Sequence, residues 1–407
     1  MKYYLVIIFF LLVGLLGCSH KKSDNKSAIN ENMDLYVVDL DKVVKSDKVN
    51  LSSYFQRAEM IVLETSEECL IGNVNKITVL DDLILVMDSE RSESVFVFDR
   101  EGRFKHKIGE RGMGPGEYIN LWDATIDREN MEIYIFDNSN NRMNRYDLNS
   151  GRFINSVVVN RDNYAPPYIQ YANGKIYTSI LSYTEMKDSY LLQEIDMVTG
   201  DPTSFFLSSF DYNRGWHGNF VRKEGFFYSD IIGNSKYVQM FMDTIISIEK
   251  DSRIMPYLVV KTKKWITKED INELINSKNN NGMLSYQILS EKNLVYNIHQ
   301  YVESNDIICF QIMNNGDLEY VVYDKNSNQT QVIDLFKDDL VFSGDFFIFP
   351  SFLFADENGF YSYVRTEQIP RLLDVAHSGG INPKFKDEIL NLSEDSNPIL
   401  IYYTKNE

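Results

Sequence analysis

"LVMDSERSESVFVFDREGRFKHKIG" (residues 85–109) and "YIFDNSNNRMNRYDLNSGRFINSVV" (residues 134–158) read as two copies of one unit. Asp88 and Asp137, Gly102 and Gly151, and Phe104 and Phe153 are each 49 residues apart, and Gly200 in "YLLQEIDMVTGDPTSFFL" lies 49 beyond Gly151. Each copy alternates short apolar runs with polar, glycine-bearing turns, the pattern of strands joined by hairpins. Val95-Phe96-Val97-Phe98 is apolar on both faces, so both faces of its sheet must be covered. A period near fifty residues with four short strands per unit predicts a β-propeller, in which stacked blades provide that cover.

Weaker copies follow at 225–260, at 296–335, and at 349–364 joined with 397–405. The expectation is an all-β, six-bladed β-propeller over 34–407 with short helical insertions. The insertions fall near 265–280 and 366–392. Thr267 and Asp270 make a capping-box pattern in the first, and Pro383 opens a helix in the second. They are expected to cover a blade edge or loop face; a ligand lid is the alternative. "AEMIVLE" (58–64) reads as the start of blade 1. "DLYVVDL" (34–40), or a strand near it, is expected to pair beside "ILIYYT" in the last blade and close the ring.

Residues 1–17 hold Lys2 and an apolar run from Tyr3 to Leu16, too short for a comfortable membrane span and suited to a signal-peptide core. The run ends in Leu15-Leu16-Gly17-Cys18, which looks like a bacterial lipobox, so Cys18 is the expected lipidation site and the membrane the expected partner of that lipid. Residues 18–33 are polar and aperiodic, a tether. The chain of 407 residues carries a net charge of −18, which argues against nucleic acid and anionic membrane surfaces as partners. Hydrophobic residues make up 44%, enough for a large core. Beyond Cys18 only Cys69 and Cys309 remain, too few for a disulfide scaffold, and both are expected reduced or buried.

"DNSNNRMNRYD" (137–147), within the stretch 112–153, resembles an NHL repeat. Nearly the whole mature chain is similar to the six-bladed β-propeller lipoproteins of Bacteroidetes, through the lipobox, "AEMIVLET" (58–65), "VFVFDREGRF" (95–104), "KIGERGMGPGEY" (107–118) and "NPILIYY" (397–403). The resemblance implies an NHL/TolB-like propeller in the cell envelope and implies no reaction. Blades 3 to 6 lack the Asn-Arg pair of the NHL pattern. The tether is basic just after Cys18, whereas surface-export signals of such lipoproteins are acidic. The expected address is therefore the outer membrane facing the periplasm, with surface exposure as the alternative.

"GERGMGPGEY" (109–118) holds four glycines and one proline. It lies where the chain crosses from the outer strand of blade 1 to the inner strand of blade 2. Pro115-Gly116 suits the central positions of a type II turn, with positive φ at Gly116. No GxGxxG or GK[ST] is present and no helix follows, so a phosphate loop is not expected. Gly112, Gly114, Pro115, Gly116 and Glu117 are read as a structural loop, Glu117 accepting N–H groups of its own loop or pairing with Arg111 or Arg142. A nest of free N–H groups for an anion is the other reading.

His20, His106, His217, His299 and His377 show no close ligand spacing, and no metal or other cofactor is expected. Residues 137–142 lack the sixth-position glycine and distal Glu of a calcium loop. No GxSxG occurs and no catalytic residue is named. Inner-strand starts and nearby loops ring the channel mouth of a propeller. There the sequence places Tyr118, Trp122, Tyr168, Arg214, Trp216, His217, Asn219 and His299, aromatics beside polar groups that suit a sugar or peptide; inter-blade packing is the alternative for each. The expected function is a lipid-anchored binding or scaffold module without catalysis, its partner a glycan, peptide or envelope protein. The alternative is an NHL-like lyase or hydrolase at the channel mouth, using His217 and His299.

Overall fold

The computed structural model describes residues 35–160, 167–181, 189–217, 225–229, 234–277, 288–343 and 350–405. Six sheets follow one another along the chain. Blade 1 is Lys76–Leu80, Leu83–Asp88, Ser94–Asp99 and Phe104–Ile108, and blade 2 is Leu121–Asp127, Glu132–Asp137, Arg142–Asp147 and Phe153–Val158. Blade 3 is Ile169–Ala172, Lys175–Ser179, Tyr190–Ile195 and Pro202–Ser208. Blade 4 runs from Phe227–Ser229 out to Ile254–Lys261, and blade 5 from Val295–Glu303 out to Gln329–Lys337. Each blade is an antiparallel meander with its first strand innermost, the six-bladed β-propeller that the repeat predicts.

The two-faced apolar runs feed two cores. In Ser94–Asp99, Val95 and Val97 point into the cluster shared with blade 2. Phe96 and Phe98 point into the cluster shared with blade 6. Alternation at period two sends successive side chains to opposite sheet faces, and here each face is a blade interface.

The start of the folded chain departs from expectation. Arg57–Val62, read from sequence as the opening of blade 1, is the outermost strand of blade 6, antiparallel to Ile399–Thr404 with Met60 opposite Ile401. Tyr36–Asp39 does not reach blade 6; it adds a parallel fifth strand to the outer edge of blade 4, opposite Leu258–Lys261. Lys45–Asn50 does the same for blade 5. The reason is geometric: blade 6 has only Phe354–Ala355, Gly359–Val364 and Ile399–Thr404 of its own. Its open edge is met by the strand that leads directly into blade 1.

Lys268–Asn276 forms between blades 4 and 5, with the Thr267 and Asp270 capping box in place, and buries Ile271 and Leu274. Ile369–His377 and Pro383–Leu390 interrupt blade 6 and bury Leu372, Ala376, Phe385 and Ile389 in a cluster with Phe55 and Phe336. No helix among the described residues is long and apolar enough to cross a membrane.

Candidate functional site: the axial channel

Conserving the ring leaves space at its centre. A cavity of about 750 Å³ lies on the axis, walled by the first strands of all six blades. Thr78, Thr125, Gln170, Tyr228, Gln300 and Leu353 are one wall residue from each blade in order.

Side chains lace the inner strands together. Lys76 of blade 1 donates to Asp123 Oδ1 at 2.6 Å and to the Ala124 carbonyl at 2.9 Å, both in blade 2. Asp123 Oδ2 accepts from Ile169 N of blade 3 at 2.9 Å, and Thr125 Oγ1 from Tyr171 N at 2.8 Å. Gln300 Nε2 of blade 5 donates to Ser351 Oγ, next to blade 6, at 2.8 Å. Such bonds tie one blade to the next and help fix the width of the ring. Burial, together with the Asp127 carboxylate beside it, pushes the Tyr171 phenol far above its ordinary pKa, so a neutral hydroxyl faces this wall. Behind Tyr301, the buried Glu303 accepts from Tyr257 and from Tyr301 and pairs with Lys325.

The residues singled out from sequence lie elsewhere: none of those described lines the cavity. Tyr118 is a correction. It is 0% exposed, packs between blades 1 and 2, and donates to the Glu93 carbonyl at 2.9 Å. Trp122 sits at an irregularity in the pairing of its strand and packs on Tyr168, ring centres 5.7 Å apart. Tyr168 is buried and meets Phe226 edge-on at 5.1 Å. Trp216 is 6% exposed and packs edge-on to Phe241 at 5.0 Å. Arg214 pairs with Asp243 at 2.7 Å and donates to the Phe241 carbonyl. His217 Nδ1 lies 2.8 Å from the Gly215 carbonyl, and His299 lies within the inner strand of blade 5 opposite Gln311. Asn219 and Cys18 lie outside the described residues. The structure thus gathers Trp122, Tyr168 and Trp216 into one aromatic core of blades 3 to 5, with Trp122 at its margin. The wall residues that sequence reading missed carried a signal. In Lys76–Leu80, polar Lys76 and Thr78 alternate with buried Ile77 and Val79.

The glycine loop is a bend. Gly116 has φ +80°, and Glu117 N donates to the Gly114 carbonyl at 3.1 Å, closing a turn around Pro115-Gly116. Gly114 N donates to Glu117 Oε2 at 2.6 Å, and Gly112 N to the Tyr118 carbonyl at 2.9 Å. Those N–H groups are therefore engaged within the loop. Arg111 faces Glu93 and Arg142 faces Ser156, so neither is the partner of Glu117. Cys69 and Cys309 are both free and buried, and burial drives the Cys309 thiol pKa far up. Among the described residues, no three His, Cys, Asp or Glu side chains form a group able to hold a metal ion.

A closed ring of six blades around an axial cavity is the class of the protein: a six-bladed β-propeller. More particularly, the chain belongs to the family described as Domain of unknown function (DUF4934), which matches residues 35–404. It is similar to a solved Bacteroides fragilis protein described as exported, with 19% identity and a TM-score of 0.74, covering 92% of this chain and 100% of that one. A member of the DUF4221 family from Bacteroides vulgatus is similar at 11% identity and a TM-score of 0.50, covering 86% of this chain and 98% of that one. No match is found among curated proteins.

Proposed function

We propose that the protein is a lipid-anchored cell-envelope module that binds a ligand in its axial channel without converting it. The observation that carries this reading is the cavity of about 750 Å³ to which all six blades contribute, a volume in the range of small-ligand sites. Its walls mix hydroxyl, amide and aromatic groups. The lipobox at Cys18, the NHL-like repeat and the similarity to a protein described as exported support the envelope address. The outer membrane, on its periplasmic side, is the proposed place.

The test is a thermal-shift screen of cell-envelope glycans and peptides on the full mature chain, followed by titration of each hit against wild type and Thr78→Arg, which puts a long cationic side chain into the channel. Hits that bind wild type, fail on Thr78→Arg and come back unchanged after long incubation support the reading. Multiple-turnover conversion of a hit would reject it in favour of an NHL-like lyase or hydrolase.

A further inference from the structure

The cavity wall is not uniform around the axis. Blades 1 to 5 contribute uncharged hydrogen-bonding side chains, among them Thr78, Thr125, Gln170 and Gln300, interspersed with apolar ones. Along its inner segment blade 6 contributes Leu353 and Phe354, with Phe352 turned into the core behind them and Glu357 on the turn beyond. The hydrogen-bonding groups are thus concentrated on blades 1 to 5, opposite the more apolar blade 6 segment. The charges on the lining cancel, Lys76, Arg128 and Lys250 against Asp127, Glu129 and Glu357, although the chain as a whole carries −18. Lys76 is moreover engaged by Asp123. The lining thus carries no large excess of either sign that would concentrate an anion or a cation.

We propose, building on the channel as a binding site, that its ligand is a short uncharged oligosaccharide lying between the hydrogen-bonding groups of blades 1 to 5 and the blade 6 segment. A pyranose ring has this same two-sidedness, hydroxyls around its rim and C–H groups on its faces. Two amides of the lining are held in place by their own bonds. Gln170 Nε2 donates to the Tyr171 carbonyl at 3.0 Å and Gln300 Nε2 to Ser351 Oγ at 2.8 Å. Each amide keeps a carbonyl oxygen as an acceptor that a sugar hydroxyl can use. An extended peptide is the poorer occupant. It would need free backbone groups along an inner strand, and on blade 3 the N–H groups of Ile169 and Tyr171 are held by Asp123 and Thr125. The volume suits a few sugar rings rather than a polymer.

The experiment is saturation-transfer NMR and calorimetric titration of the mature chain with neutral tri- and tetrasaccharides of glucose, mannose, galactose and N-acetylglucosamine. Sialyllactose and tetra-alanine are run alongside. Wild type, Gln170→Leu, Gln300→Leu and Thr78→Arg are compared, each checked by thermal melting. The expected result is saturable binding of a neutral saccharide, weakened about tenfold by either Gln→Leu change and abolished by Thr78→Arg. Absence of neutral-saccharide binding, or binding indifferent to Thr78→Arg, overturns the proposal. Tetra-alanine or sialyllactose binding that is lost in Thr78→Arg removes the saccharide assignment and leaves the channel as a binding site. Failure of every probe removes both.

Discussion

Gly102 abuts the main-chain carbonyl of Val62: a Cβ on Gly102 would stand 2.2 Å from that oxygen. Gly151 meets Lys107 O in the same way at 2.7 Å, and Gly200 meets Val158 O at 1.8 Å. In each case the glycine sits in the outermost hairpin of one blade, and the carbonyl lies in or just at the end of the outer strand of the blade before it. All three glycines have positive φ. The 49-residue spacing thus marks one recurring contact between blades. Val62 lies on the N-terminal strand that completes blade 6, so the seam of the ring is built like any other junction.

This relationship separates two kinds of glycine. Gly102→Ala meets both the positive φ and the Val62 carbonyl, and should lower stability by about 2–4 kcal/mol. Gly174→Ala has φ +77° with nothing within 4 Å of the added carbon, so only backbone strain of about 1 kcal/mol is expected. Urea unfolding of both variants checks the ordering; equal midpoints would mean that the blade contact contributes nothing.

The crossing loop gives a second prediction. A Cβ on Gly116 would lie 2.7 Å from the Phe153 side chain, and the turn requires φ +80°. Gly116→Val should cost about 2–4 kcal/mol, read from denaturant melts against Gly114→Ala as the milder change. An unchanged midpoint for the valine variant would refute the turn assignment.

The third prediction concerns pH. The buried Asp88 carboxylate accepts from the backbone N–H groups of Gly72, Asn73, Arg91 and Ser92 at 2.8–3.1 Å. Burial alone would raise its pKa; those donors outweigh it and hold the group below the ordinary carboxylate value. A lowered folded value means that its contribution is complete above the unfolded pKa of about 3.9 and is lost as pH falls through the folded one. Asp88→Asn should therefore be clearly destabilising at pH 7, with the gap to wild type narrowing below about pH 4. A gap that stays constant down to pH 2 would contradict the assignment.

Trp216 supplies a prediction that distinguishes core from channel. Trp216→Ala removes a large buried side chain packed on Phe241 and should cost about 3–5 kcal/mol in stability. Since Trp216 does not line the cavity, the affinity of any channel ligand should stay within about twofold of wild type at temperatures where the variant is folded. A selective loss of affinity would move the site to the loop around Trp216.

Cys18→Ala should leave the mature protein without acyl chains. Mass spectrometry of the N-terminus after membrane extraction reads this directly. A wild-type N-terminus that begins at another residue and carries no lipid would end the anchor assignment.

The blades were legible because the repeat fixes more than strand content. Asp88 and Asp137 each tie the incoming loop of their blade to a turn, Asp137 through Ile119 N, Asn120 N and Ser139 N. The Gly102, Gly151 and Gly200 series holds the junctions. A residue with such a fixed geometric task keeps its spacing, and spacing can be read. The first strands of the fold were less legible. Nothing in "AEMIVLE" distinguishes the first strand of blade 1 from the last of blade 6, since both are half-apolar edge segments and only the ring decides. The channel was less legible still. Its wall is made of ordinary threonines, glutamines and tyrosines, whose role comes from convergence across six blades rather than from any local motif. The aromatics that stood out, Tyr118 and Trp216 among them, stood out because blade interfaces demand large buried side chains.

The seam has a consequence for the order of events during synthesis. Val62 and Ile399 pair across roughly 340 residues of sequence, among the most non-local contacts a chain of this size can make. The ring has no shut state until its last strand has been made. The strand at 36–39 waits for the outer strand of blade 4, the strand at 45–50 for that of blade 5, and the strand at 57–62 for the last strand of all. The growing polypeptide must carry these strands unmatched over long stretches of synthesis, and the one at 57–62 through to completion, the condition under which edge-to-edge aggregation competes with folding. Refolding should accordingly be slow and sensitive to protein concentration. A circular permutant that opens between blades 2 and 3 and links the old ends would shorten the wait for that last partner.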